Sequence, residues 1–113
     1  MSDSCLFCRI VRGEIPAKLV AETAECIAFA DINPQAPLHV LVIPREHVAS
    51  LNEATDAAQL GRLSLLAAEI ARREGYAESG YRTVINTGPQ AGQTVHHVHL
   101  HLLAGRDLRW PPG

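Results

Sequence analysis

Apolar residues recur along the chain at two spacings, one typical of helices and one typical of strands. The helical spacing predicts a short helix over residues 6–12 and one long helix over residues 55–74. The long helix has an inward-facing stripe formed by Leu60, Leu63, Ala67 and Ile70. Aliphatic or alternating runs predict five strands, over residues 18–22, 26–31, 39–43, 81–86 and 97–103. These elements predict an α+β fold in which an antiparallel sheet carries the helices on one side.

The length of the chain sets the number of domains. A chain of 113 residues can build one modest core, so we expect a single domain over residues 1–113. Residues 1–4 are expected to be flexible. Residues 105–113 are expected to form an irregular tail, because they include two consecutive prolines and the only tryptophan.

Charge and composition argue against several classes of partner. The net charge is −2 and there is no basic stripe, so we expect no nucleic-acid partner. No apolar run approaches the ~20 residues of a membrane helix, and the first residues lack the pattern of a secretory signal. Three cysteines cannot all pair within one chain, which favours a reducing, cytoplasmic setting.

The most informative feature is a cluster of histidines, because four of the six lie between His96 and His101. His97, His99 and His101 alternate with aliphatic residues, and such a strand would place the three imidazoles on one face about 6.6 Å apart. The residues alone leave three interpretations open: an incidental polar face, a metal site, or phosphoryl chemistry. A neutral imidazole, with an ordinary pKa of ~6.5, is a competent nucleophile at neutral pH.

The pattern His-φ-His-φ-His-φ-φ, where φ is apolar, resembles the histidine triad superfamily and in particular its Hint branch. The resemblance extends over nearly the whole chain from Cys5. It is carried by Ile15-Pro16-Ala17-Lys18, Ala28-Phe29-Ala30-Asp31-Ile32, Pro34-Gln35-Ala36-Pro37, Leu41-Val42-Ile43-Pro44 and Trp110-Pro111-Pro112-Gly113. It implies a HIT-like fold, with a five-stranded antiparallel sheet, one long and one short helix, and a homodimer that joins two sheets into one.

The resemblance also implies an activity, the hydrolysis of the P–N bond of purine nucleoside 5'-phosphoramidates. The substrates that the resemblance implies are adenosine phosphoramidate and aminoacyl or lysyl adenylates, and cleavage of a phosphoramidate gives the nucleoside monophosphate and an amine. Catalysis would require no metal. Two alternatives stay open: cleavage of dinucleoside polyphosphates or nucleotidyl transfer by the same superfamily, and a module that only binds nucleotides or proteins.

The resemblance assigns His99 as the nucleophile that forms a nucleotidyl-histidine intermediate, which water then resolves. The carbonyl of His97 would accept a hydrogen bond from one ring nitrogen of His99, so that the other keeps its lone pair. His101, His39 and the Thr94 hydroxyl complete the catalytic set, and the family usually has serine where Thr94 stands. From the residue alone, His39 could equally be a satisfied core histidine.

The nucleotide contacts follow from the same resemblance. Asp31 matches the residue that binds the ribose hydroxyls, although alone it could be a solvated turn acid. The Gly-rich loop over residues 87–95 could cradle a phosphate on its backbone amides. The purine slot would be formed by Phe7, Ile10, Phe29, Ile32 and Leu41, which would otherwise be ordinary core. The remaining contacts are Asn86, Gly92, Gln93 and Val95 near the phosphate or leaving group, and Trp110 reaching across the dimer.

Cys5 and Cys8 depart from the animal Hint pattern, which lacks both thiols. Some other histidine triad proteins combine such a pair with two histidines around structural zinc, and the matching residues here are His47 and His97. Two thiolates and two imidazoles suit tetrahedral zinc. The alternative is a pair of unligated thiols at the start of a helix.

Overall fold

A five-stranded antiparallel sheet organises the chain. In the computed structural model, which describes residues 4–113, the strands lie in the order β1-β2-β3-β5-β4. Their bounds are Leu19–Glu22 for β1, Cys26–Ala30 for β2, Leu38–Pro44 for β3, Tyr81–Val84 for β4 and Leu100–Ala104 for β5. The predicted fold class, with its five strands and its long and short helix, is confirmed.

The long helix α2 (Ala57–Arg73) covers one face of the sheet. It begins where the Asp56 carboxylate accepts a hydrogen bond from the amide of Ala58 at 3.0 Å. It ends before Gly75, whose φ of 89° suits the left-handed turn after a helix. Of the predicted stripe, Leu63, Ala67 and Ile70 are fully buried and Leu60 is partly buried. This face of the sheet and α2 form the larger of two cores.

The short helix α1 (Leu6–Val11) packs on the opposite face, so the expectation that both helices share one side is wrong. Alternate strand residues point to opposite faces of a sheet. In β2 and β3, Ala28 and Val42 face α2, whereas Phe29 and Leu41 pack with Phe7 of α1. The two apolar faces of β2 and β3 therefore require a helix on each side. His39 and His101 have the same alternation as Leu41, which places them on the α1 face.

The predicted strand over residues 97–103 is too long at its beginning, because β5 starts at Leu100. Its pairing with β3 stops at Val42 opposite Leu100. Two residues before Leu100, the amide of Val98 donates instead to the carbonyl of Val48 at 2.6 Å. Residues 97–99 therefore lie outside the β3–β5 ladder.

Other boundaries differ less. Strand β4 ends at Val84, before Asn86, and a short 3₁₀ helix over Leu51–Glu53 was not predicted. Its signal was Ser50, whose hydroxyl accepts from the amide of Asn52 at 3.1 Å. None of the helices within residues 4–113 is long and apolar enough to cross a membrane.

The C-terminal residues 105–113 contain neither helix nor strand. Arginine side chains tie this tail to the domain. The guanidinium of Arg82 donates to the carbonyls of Leu108 and Arg109 at 3.0 and 3.1 Å, and that of Arg106 donates to the carbonyl of Gln35 at 2.8 Å. The expected flexibility of residues 1–4 concerns mainly residues 1–3, which lie outside the described residues.

Candidate active site

Strands β3 and β5 are neighbours, and they bring His39 and His101 into direct contact. The Nε2 atom of His39 lies 2.9 Å from Nδ1 of His101, and the ring centroids are 5.2 Å apart. His99 lies just before β5, with its ring centroid 5.1 Å from that of His101. The three imidazoles form one group, which we call the imidazole cluster.

The tautomer of His99 is determined by a backbone carbonyl. Its Nδ1 atom lies 2.7 Å from the carbonyl oxygen of His97. A carbonyl can only accept a hydrogen bond, so the neutral ring carries its proton on Nδ1 and keeps a lone pair on Nε2. The ring is 7 % exposed and meets the edge of Phe7 at 5.1 Å between centroids. The arrangement leaves His99 a nucleophilic nitrogen in a confined position.

A chain of hydrogen bonds determines the tautomers of His39 and His101. The backbone amide of Gln35 donates to Nδ1 of His39 at 3.0 Å, so the proton of neutral His39 lies on Nε2. That Nε2–H donates to Nδ1 of His101, whose own proton must therefore lie on Nε2. His101 thus carries its N–H donor on Nε2, the ring nitrogen that does not bond to His39. The ring itself lies beside that of His99.

Burial keeps the imidazoles of His39 and His101 neutral. The pKa of His101 falls from 6.5 to about 4, mainly because burial disfavours the charged form, and His99 and His39 lower it further. Burial also lowers the pKa of His39, against the opposing charge of Asp31. Both imidazoles are therefore uncharged at neutral pH, as the hydrogen-bond chain requires.

Asp31 lies at the end of the imidazole cluster. Its Oδ2 atom is 3.4 Å from Nε2 of His39, and its Oδ1 atom accepts from the amide of Asn33 at 2.8 Å. The carboxylate therefore lies beside the imidazole of His39, whose Nε2–H is donated to His101. Asp31, His39 and His101 also lie close enough to hold a metal ion. In this structure the two imidazoles are joined directly by a hydrogen bond.

The residues predicted to form the purine slot do not line one open pocket of the single chain. Phe7, Phe29 and Leu41 are buried against one another in the smaller core, and Ile10 packs at its edge. Ile32 is instead fully exposed, at 101 % of its reference area. Trp110 is 81 % exposed. Two of the predicted contacts are thus apolar side chains in solvent.

The Gly-rich loop over residues 87–95 reaches the smaller core at its end, through Val95. Gly88 and Gly92 have φ values of 85° and 89°, which only glycine adopts readily. Thr94 is exposed, Asn86 is half-buried and Val95 packs against the smaller core. Gln93 differs from its neighbours, because its side chain is turned into the protein.

The ring of His97 does not join the other imidazoles, so the predicted row of three rings is wrong at this position. Its ring is fully buried, and its Nδ1 atom lies 3.4 and 3.6 Å from the sulfur atoms of Cys5 and Cys8. The sulfur of Cys8 is 3.2 Å from Nδ1 of His47. Residue 97 lies before the start of β5, outside the β3–β5 pairing, and its ring contacts Phe7 at 6.0 Å between centroids. We call Cys5, Cys8, His47 and His97 the Cys/His cluster.

The donor set of the Cys/His cluster fits a zinc ion. All four candidate ligand atoms lie within 4.8 Å of one another. The Nε2–H of His97 donates to the carbonyl of Pro44 at 2.8 Å, which leaves Nδ1 as the lone-pair atom facing the sulfurs. Metal-binding histidines are commonly oriented by such a second hydrogen bond. No disulfide joins Cys5, Cys8 or Cys26.

Sequence reasoning missed the backbone groups that orient these rings. The amide of Gln35 and the carbonyl of Pro44 each determine a tautomer, and neither depends on the identity of its own side chain. No residue-type signal could have identified them. They follow from the register of β3 and the loop before it.

Comparisons with known proteins identify the family. The HIT domain matches residues 12–108. The chain belongs to the HIT family. An uncharacterized HIT-like protein of Synechococcus elongatus is 56 % identical over 115 residues, which cover the whole of both chains.

Solved structures of HIT proteins have the same fold. The HIT family hydrolase of Legionella pneumophila superposes with a TM-score of 0.95 at 48 % identity, covering 97 % of this chain and all of that one. The histidine triad nucleotide-binding protein of Candida albicans has a TM-score of 0.85 at 37 % identity, covering 93 % of this chain and 77 % of that one. This HIT protein therefore has the fold of a relative that is a hydrolase.

Proposed function

We propose that this HIT protein hydrolyses the P–N bond of purine nucleoside 5'-phosphoramidates. The observation that carries the proposal is the pair of neighbouring imidazoles with opposite roles. His99 has a lone pair on Nε2 because its Nδ1–H is held by the carbonyl of His97. His101, in ring contact with it, has a proton on Nε2 because its Nδ1 accepts from His39. A nucleophile beside a neutral donor suits attack on a charged phosphorus centre.

The reaction proceeds in two displacements. The lone pair on Nε2 of His99 forms a bond to the α-phosphorus, and the P–N bond breaks as its nitrogen takes a proton from solvent, relayed by the Thr94 hydroxyl, and leaves as the amine. The Thr94 hydroxyl donates toward that nitrogen, and Nε2–H of His101 donates to a phosphate oxygen. A water molecule then attacks phosphorus and breaks the bond to Nε2 of His99, which releases neutral His99 and the nucleoside monophosphate, and the proton of the water returns to solvent. Covalent catalysis divides one difficult displacement into two easier ones.

The nucleotide is recognised by its sugar and base. Asp31 accepts hydrogen bonds from the ribose hydroxyls, for which its partly exposed carboxylate at the edge of the imidazole cluster is suited. Ile32, fully exposed, covers the purine together with the surface of the smaller core. The Candida albicans relative is named as a nucleotide-binding protein, which supports a nucleotide substrate. An odd number of cysteines, three in all, suits the reducing setting of a cytoplasmic enzyme.

His99→Ala is expected to lower kcat for adenosine phosphoramidate by a factor on the order of 10⁴ or more, because the covalent route is lost. Binding of adenosine monophosphate should persist. His96→Ala is the matched control, because His96 is an exposed imidazole outside the imidazole cluster. Steady-state kinetics on the phosphoramidate and on diadenosine polyphosphate measures both activity and preference. Undiminished turnover by His99→Ala, or a preference for the polyphosphate, would contradict the proposal.

We further propose a homodimer in which the β4 strands of two chains join their sheets. Strand β4 is an edge of the sheet, with unpaired backbone groups along one side. The C-terminal tail that carries the exposed Trp110 is bonded to Arg82 of β4. Pairing at the β4 edge would therefore bring a neighbouring chain within reach of the Trp110 indole. Sedimentation velocity should give the mass of two chains at micromolar concentration. A single-chain mass, with activity intact, would show that the dimer is not required.

The Cys/His cluster is proposed to hold a structural zinc ion, with Cys5, Cys8, His47 and His97 as ligands. Bound zinc would cross-link α1 to the residues before β5, and catalysis does not use it. Protein purified without chelator should contain about one zinc per chain. Cys8→Ser should abolish zinc retention and lower the Tm, whereas Cys26→Ser, which alters a thiol outside the cluster, should leave the zinc content unchanged. Wild-type protein without near-stoichiometric zinc would overturn the assignment.

A further inference from the structure

Gln93 is a buried polar residue between exposed neighbours. It is 8 % exposed, whereas Gly92 and Thr94 on either side of it are exposed. Resemblance to the family predicts that Gln93 lies near the phosphate or leaving group. Its inward orientation raises the question of what its amide group binds.

The side-chain amide of Gln93 binds only backbone. Its Nε2 atom donates to the carbonyls of Ala49 at 2.8 Å and Val95 at 3.1 Å. Its Oε1 atom accepts from the amide of Gly88 at 3.1 Å, and its own backbone amide donates to the carbonyl of Gly88 at 3.1 Å. The side chain of Gln93 therefore bonds to Gly88 and to Val95, near the two ends of the Gly-rich loop.

This use of the amide leaves no donor for a ligand. A glutamine side chain has two N–H donors on one nitrogen, and both are directed at carbonyls here. A phosphate requires donors, so the side chain of Gln93 does not serve it in this arrangement. A glutamate at position 93 would have the same shape, but its carboxylate has no N–H to donate. The carbonyl oxygens of Ala49 and Val95 would then face a negative charge and lose their donor.

The bond to Ala49 links the loop to the nucleophile. The carbonyl of Ala49 receives the Gln93 amide, and the preceding carbonyl, that of Val48, receives the amide of Val98. Val98 directly precedes His99. Two successive carbonyls therefore hold the loop and the segment that carries the nucleophile in a defined relative position.

We propose that Gln93 is a positioning residue, which sets the loop over residues 88–95, and with it the Thr94 hydroxyl and the Val95 amide, against Nε2 of His99. The kinetic consequence rests on the proposed phosphoramidate hydrolysis. The structural consequence does not, since the bonds form in the protein without a ligand. The proposal replaces a direct phosphate contact by the Gln93 side chain.

The test compares Gln93→Glu with Gln90→Glu, the same substitution at an exposed side chain of the same loop. In the ligand-free protein, Gln93→Glu should speed hydrogen exchange of the Gly88 amide by about tenfold or more, because its acceptor is no longer held in place. With adenosine phosphoramidate, kcat should fall by about tenfold or more. Gln90→Glu should change neither. Gln93→Met, apolar and of similar length, should show the same two effects and provides a second variant if the glutamate variant does not fold.

The outcomes separate the possible roles. Loss of turnover with unchanged exchange at Gly88 in the ligand-free protein would indicate a direct substrate contact and overturn the proposal. Unchanged exchange and unchanged turnover would overturn it as well. Faster exchange in a protein whose wild type does not cleave phosphoramidates would support the loop-setting role, while the proposed function would fail separately.

Discussion

The hydrogen bond from Nδ1 of His99 to the carbonyl of His97, at 2.7 Å, is the interaction on which the rest of the site depends. It determines which nitrogen of His99 keeps a lone pair. It also joins two clusters through one residue, because His97 offers its carbonyl to the imidazole cluster and its ring to the Cys/His cluster. The position of the nucleophile is therefore linked to the packing of α1, which carries Cys8 and lies beside His97.

Backbone groups supply most of the orientation in this site. The carbonyls of Pro44 and His97 and the amide of Gln35 each determine the tautomer of one imidazole. The carbonyls of Val48 and Ala49 hold the segment before His99 and the Gly-rich loop. Such groups are positioned by the sheet register and by the departure of residues 97–99 from it. The fold thus acts on the chemistry through its main chain, while side chains supply the reacting atoms.

Much of this architecture could be predicted from the sequence, because period-2 and period-3.6 apolar patterns report directly on buried faces. The inward stripe of α2 and the aliphatic run of β3 are examples. The face that the short helix covers cannot be read from the sequence, since Phe7 and Ile10 show that α1 is amphipathic but not which side of the sheet it packs against. A run of His-φ-His-φ-His predicts a strand, yet the β3–β5 pairing ends at Leu100 and the amide of Val98 bonds to Val48 instead, which no local pattern encodes. The close approach of Cys5, Cys8, His47 and His97 is predicted by family resemblance, because their spacing along the chain alone does not bring them together.

The central claim is that hydrogen bonds orient His99 to attack through Nε2 and a neutral His101 to donate from Nε2. The most direct measurement is ¹⁵N NMR of the histidine side chains in the ligand-free protein, followed from pH 7 toward pH 4. The account predicts a proton on Nδ1 of His99 and on Nε2 of His39 and His101 at pH 7, with His101 becoming charged only near its pKa of about 4. A proton on Nε2 of His99, or a charged His101 at pH 7, would contradict it.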